Sequence, residues 1–283
     1  MTRIFCNIFN SSRFKRWCKL RKEPMLEEFI LYRLIFAHLF ADFPLQLNFV
    51  YKLKVEKREG LWLHILIHLA VMVLCLLPVR EFKGWFTLIF FITLCHYFSD
   101  RLKLLVHEEF QITNTSGLLS TILFLFDQLL HFIIIYASLS LIKNVPLNLE
   151  PKSIISYLYY SNSVIVILIF IILAIFFSPI FAAISSQIFF NPIDNNSNKP
   201  AFEKKGLLYR LFITIFMLFP YTWVLTLMLI LIRTYFMNKE GVLRGVDFYK
   251  HIINTIIPIA FGLICFFTGN SIEAYRDLLN LGL

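Results

Sequence analysis

Long apolar runs, separated by short polar or turn-forming stretches, organise this chain. They lie at about 26–50, 61–79, 85–106, 117–142, 154–187, 207–232 and 249–269. A bilayer-spanning helix needs about 20 apolar residues. The pattern therefore predicts an all-α, polytopic transmembrane bundle of about seven spans, with six or eight as the neighbouring counts. The run at 154–187 exceeds one span and is expected to tilt, or to break near Ser178-Pro179, because proline disrupts a helix. The clearest loop is Asn191–Pro200, read NPIDNNSNKP and rich in turn formers. Three regions follow: a basic arm at 1–24, a four-helix site-bearing domain at 25–142, and further transmembrane helices at 143–283 with a loop near 191–205.

Polar residues inside the first four runs break the pattern in a regular way. They read His38-x-x-x-Asp42, His64-x-x-x-His68, His96-x-x-x-Asp100 and Asp127-x-x-x-His131. A spacing of four puts both members of a pair on one helix face. Ionisable groups in membrane segments are costly and usually functional. Successive spans alternate in direction. The end of the first, the start of the second, the end of the third and the start of the fourth should meet near one membrane face. Three of the six aspartates and five of the seven histidines belong to these pairs.

Composition adds a partner and removes others. The chain has 283 residues, 58% of them hydrophobic and only 16% charged, with a formal net charge of +9. Nucleic-acid binding would need basic residues gathered on one face with a recognisable motif, and neither is visible. The lipid bilayer, and its anionic surface in particular, is the expected partner. Residues 1–24 carry Arg3, Arg13, Lys15, Arg16, Lys19, Arg21 and Lys22 and read as a cytoplasmic or interfacial arm. The Lys/Arg bias places the N-terminus in the cytoplasm, although the stretch Lys52–Arg58 opposes it. The five cysteines, Cys6, Cys18, Cys75, Cys95 and Cys265, are odd in number and scattered, which argues against a disulfide framework.

Imidazole and carboxylate together suit a divalent metal, with Zn first and Fe or Mn as alternatives, and bundle cores hold such sites between facing helices. A zinc ion takes four protein ligands in a closed site and three plus water in a catalytic one. Eight candidates exceed that, so either two ions are held or some aspartates orient histidines from behind. His38, His64, His68 and His96 are the foremost ligand candidates, with His131 a further one. Asp42, Asp100 and Asp127 are read as ligands or as the general base. The bland alternative is that the pairs only hydrogen-bond helices together.

Other polar residues carry lesser expectations. Gln46, Gln128 and Ser99 could support a carboxylate or act as interhelical contacts. Arg33 is expected to snorkel to the interface or to meet an anionic substrate. His107, beside Glu108 and Glu109, reads as solvated, and His251 as interfacial. Glu27 and Glu28 suit the first turn of a helix.

At the paired residues the sequence resembles a bacterial membrane protein family known as domain of unknown function 3307. The run from His38 through Gln46, Leu63 through His68, His96-Tyr-Phe-Ser-Asp100 and Phe126 through His131 carry the resemblance, which covers about residues 30–140. Gly206, Tyr209 and Arg210 echo its longer members. The resemblance implies a membrane location and assigns no activity. The layout is also similar to intramembrane zinc hydrolases such as the alkaline ceramidases.

The foremost expectation is a metal-dependent hydrolase of the bacterial inner membrane acting on a lipid or lipid-linked substrate. The alternatives are a di-iron membrane oxidase, a metal or proton transporter, and a non-catalytic membrane interaction protein.

Overall fold

The computed structural model describes residues 25–274 apart from 47, 57, 110–116, 144, 148–152, 191–203 and 242–244. The basic arm, Cys6 and Cys18, and the loop at 191–203 lie outside the described residues. So does the side chain of His107.

The described residues form an all-helical bundle. The front half comprises α1 (Leu26–Asp42), the short α2 (Asn48–Glu56), α3 (Arg58–Leu76), α4 (Trp85–Glu109) and α5 (Gly117–Ser138). The back half comprises α6 (Ile154–Tyr160), α7 (Asn162–Ile172), a π-helical turn (Leu173–Phe177), α8 (Ser178–Phe189), α9 (Lys204–Met217), α10 (Trp223–Lys239) and α11 (Gly245–Phe267). Five helical stretches are long and apolar enough to cross a membrane: Glu59–Val79, Thr121–Leu141, Asn162–Phe189, Pro220–Lys239 and Gly245–Phe267. Helix α1 has 17 residues and two acidic residues in its first turn. The second half of α4 carries Asp100, Arg101 and Lys103, of which Asp100 and Lys103 belong to the site.

Two of the expected spans take a different form. The long run 154–187 breaks at Ser161, not at Ser178-Pro179. The Ser161 side chain caps α7 by accepting from the Val164 amide. The helix then continues through Pro179 by way of the π turn, because a wide turn accommodates a ring that has no N–H to donate. The run 207–232 is two helices, α9 and α10, joined at Pro220–Thr222. Phe219 is extended, as the residue before a proline prefers.

Apolar packing gathers the helices around three clusters. Leu34, Ala37, Met72, Leu76, Leu88 and Ile135 are among the buried residues that fuse α1, α3, α4 and α5. Leu39 of α1 and Phe43, just past its end, meet Ile165, Ile169 and Ile172 of α7. Tyr209, Ile213 and Met217 gather α9, α10 and α11. The outer faces stay apolar: on α10, Val224, Leu227, Leu231 and Tyr235 are all exposed. Lipid tails are as apolar as leucine, so such faces carry no penalty within a bilayer.

Arg33 neither snorkels nor points at a ligand site. It is buried, lies 3.2 Å over the Phe29 ring, and donates to Asn162 Oδ1 at 2.8 Å and to the Tyr159 carbonyl at 2.8 Å. Tyr159 is in the last turn of α6, where carbonyls lack helical partners and a cation is favoured. Arg33 therefore ties α1 to the α6–α7 corner.

Candidate metal centre

Each pair enters the site for a local reason. Asp42 is the last residue of α1, because Pro44 cannot continue the helix. A carboxylate there faces the negative end of the helix dipole and needs compensation. It finds four partners. His38 Nε2 lies 3.6 Å from its Oδ2, His64 Nε2 3.2 Å and His68 Nε2 2.9 Å from its Oδ1, and Gln128 Nε2 donates to Oδ2 at 3.2 Å. Asp100 is approached by His64 Nε2 at 3.3 Å and by His96 Nε2 at 3.7 Å. Four helices thus supply one polar centre.

The imidazoles pack as a group. Ring centroids are 3.9 Å apart for His68 and His96, 4.3 Å for His96 and His131, and 4.8 Å for His38 and His131. His131 Nδ1 is 2.8 Å from the Asp127 carbonyl. A carbonyl only accepts, so Nδ1 carries the proton and Nε2 keeps its lone pair. Metal-binding histidines are commonly held in this way. Nε2 of His38, His64, His96 and His131 are all buried without a hydrogen-bond partner. Four orphaned imidazole nitrogens in one place are costly unless something accepts their lone pairs.

His68 Nε2 is hydrogen-bonded to Asp42 Oδ1 at 2.9 Å, whereas the other close approaches are longer and match the spacing of ligands around a cation. Two ligands of a tetrahedral zinc, each about 2.0–2.1 Å away, stand about 3.3 Å apart. The distances of 3.2, 3.3, 3.6 and 3.7 Å between imidazole nitrogens and carboxylate oxygens cluster around that value. Three sets of donors each lie within 4.8 Å of one another: His38, Asp42, His68 and His96; His64, His96 and Asp100; and Asp100, Asp127 and His131. The first set has the four donors of a closed site, and the others have the three of an open one. His96 and Asp100 are each shared by two sets, so the eight residues form one continuous donor field. Between the imidazoles of His38, His68, His96 and His131 and the apolar side chains of Met72 and Ile92 lies a cavity of about 10 Å³. That is room for about one water molecule.

Two lysines join the site that the paired spacing did not announce. Lys54 Nζ lies 2.7 Å from Asp100 Oδ2, and Lys103 Nζ lies 2.6 Å from Asp127 Oδ2. Lys103 had a sequence signal, since it follows Asp100 by three residues and shares its face. Lys54 had none. It comes from α2, within the very stretch that opposed the charge bias. Its placement depends on Gly60, where α2 crosses α3. A Cβ on Gly60 would overlap the Leu53 carbonyl and the Lys54 amide nitrogen. Gly60→Val is expected to push α2 away, separate Lys54 from Asp100 and cost about 1–3 kcal/mol. A lowered unfolding midpoint and faster amine labelling at Lys54 would register this; unchanged labelling would contradict it.

The lesser candidates divide. Gln128 bonds both Asp42 and Asp127, the latter at 3.4 Å. Ser99 is buried with its hydroxyl unpartnered and does not bond Asp100. Among the described residues Gln46 makes no hydrogen bond. His251, in the second turn of α11, is buried, with Nε2 3.1 Å from Thr234 Oγ1.

Fold and site together define a helical, multi-span membrane protein with a buried His/Asp cluster able to hold metal. Residues 30–159 match the family described as a protein of unknown function (DUF3307), in line with the resemblance carried by the paired residues. The match runs from α1 to the end of α6 and takes in every member of the cluster. No curated protein and no solved structure matches the chain.

Proposed function

We propose that this protein is a metal-dependent hydrolase of the bacterial inner membrane, acting on a lipid or lipid-linked substrate, with its N-terminus in the cytoplasm. The carrying observation is the set of orphaned imidazole nitrogens facing carboxylate oxygens at ligand-to-ligand spacing, between four helices. His38, Asp42, His68 and His96 form the most complete donor set, and His64, Asp100, Asp127 and His131 extend it. A bound divalent ion, Zn before Fe or Mn, would lower the pKa of water and polarise a carbonyl or phosphoryl oxygen.

The chain's own residues supply the rest. Asp100 and Asp127 are the candidate proton acceptors, each held by a lysine ammonium that fixes its orientation. Lys103, whose side chain is about one-third exposed, marks the open side of the site. It places positive charge where an ester or phosphoryl oxygen would enter. The apolar side chains of Met72 and Ile92 keep bulk water out on their side of the cavity, which strengthens the charge interactions beside it.

The test is metal-dependent release of product from labelled ceramide, glycerophospholipid and polyprenyl-phosphate substrates in nanodiscs. Activity that disappears with chelator, returns with zinc and is lost in Asp127→Asn supports hydrolysis. Iron in the purified protein with oxygen-dependent turnover would instead establish the oxidase reading, which a site with three carboxylates also accommodates.

A further inference from the structure

The back half holds a second polar centre that the His/Asp cluster does not use. Arg210 of α9 is buried, and Arg233 of α10 is half-buried. Both reach the same glycine: Arg210 Nη1 lies 3.1 Å, and Arg233 Nη2 3.9 Å, from the point where a Cβ on Gly206 would stand. Among the described residues neither guanidinium has a carboxylate within ion-pair distance. Arg210 Nη2, Arg233 Nε and His251 Nδ1 are buried without a hydrogen-bond acceptor.

The two arginines are held in place by contacts that leave those donors free. Pro179 has no N–H, so the Ile175 carbonyl lacks its usual helical partner, and Arg210 Nε donates to it at 3.0 Å. Arg233 stacks 4.5 Å over the Tyr209 ring. The Tyr209 hydroxyl is tied to Thr255 Oγ1 at 2.9 Å, and His251 to Thr234. Tyr209 and Arg210 sit two turns or less from the start of α9, whose first amides have no helical acceptor. Both guanidiniums approach Gly206, and an anion between them would offset their mutual repulsion.

We propose that Arg210, Arg233 and His251 form an anion site that takes a phosphate group, either free or as a lipid headgroup. Arginine forks match phosphate oxygens two at a time, and the buried donors supply the hydrogen bonds such a group needs. A Cβ at Gly206 would stand 3.1 Å from Arg210 Nη1, so alanine there would have to displace that guanidinium. The site belongs to α9, α10 and α11 and shares no residue with the His/Asp cluster.

The test is thermal unfolding of the full-length protein in detergent. The additives are sodium phosphate against sodium chloride of equal ionic strength, and dioctanoyl phosphatidate against dioctanoylglycerol. A rise of several degrees with a phosphate-bearing additive is expected. It should persist in the His68→Ala/Asp100→Ala variant and be lost in both Arg233→Gln and Gly206→Ala. A rise with both additives identifies a free-anion site, and a rise with phosphatidate alone identifies a lipid headgroup site. No rise with either, or a full rise retained in Arg233→Gln and Gly206→Ala, would overturn the proposal. Metal content of the same samples separates this result from the fate of the hydrolase reading.

Discussion

Asp42→Asn is expected to lower divalent-metal affinity by at least about 100-fold while leaving the bundle folded. Residues that only orient a metal ligand are worth about 10–100-fold when replaced, and Asp42 stands within the donor set itself. It is the one carboxylate approached by three histidines, from α1 and α3. Asparagine keeps the shape and can still accept from Gln128, so helix packing survives. It removes the negative charge that a cation would share with His38, His68 and His96. Competition titration against a chromogenic chelator gives the affinity, and far-ultraviolet circular dichroism monitors folding. A folded Asp42→Asn protein with wild-type affinity would remove Asp42 from the site.

Lys54→Met carries the second large effect, and its size depends on the metal. The Lys54 ammonium and the Asp100 carboxylate are both buried. Removing one partner of a buried pair leaves an uncompensated charge, at a cost of about 3–5 kcal/mol. A bound cation near Asp100 supplies the missing compensation. The variant should therefore lose more stability after chelation than when loaded, and zinc should raise its unfolding midpoint further than it raises the wild type's. Equal losses in the two forms would mean that Lys54 serves packing alone. Lys103 and Asp127 repeat the arrangement nearer the surface, where the same substitution should cost less.

The front half was legible in the sequence because two constraints coincide there. A spacing of four fixes which side chains share a helix face, and alternation of apolar spans fixes which ends of those helices meet. Together they place His38 beside His131, although 93 residues separate them. Lys54 was not legible, since a short helix between spans carries no register that ties it to the bundle. Only the close crossing at Gly60 decides where its side chain goes. The back half gives no such signal, because its polar residues are not paired along the chain. Arg210, Arg233 and His251 come from three helices at spacings that carry no periodic signal. The division of the 207–232 run was signalled by Phe219-Pro220, yet continuous apolarity across that dipeptide concealed it.

The central claim is that the eight paired residues hold metal. Elemental analysis of detergent-purified protein beside the His68→Ala/Asp100→Ala variant tests it most directly. The account predicts about one or two divalent ions per chain, zinc foremost, lost in the variant. Absence of stoichiometric metal from correctly folded wild-type protein, even after incubation with zinc, would contradict it and leave the pairs as contacts that hold the helices together.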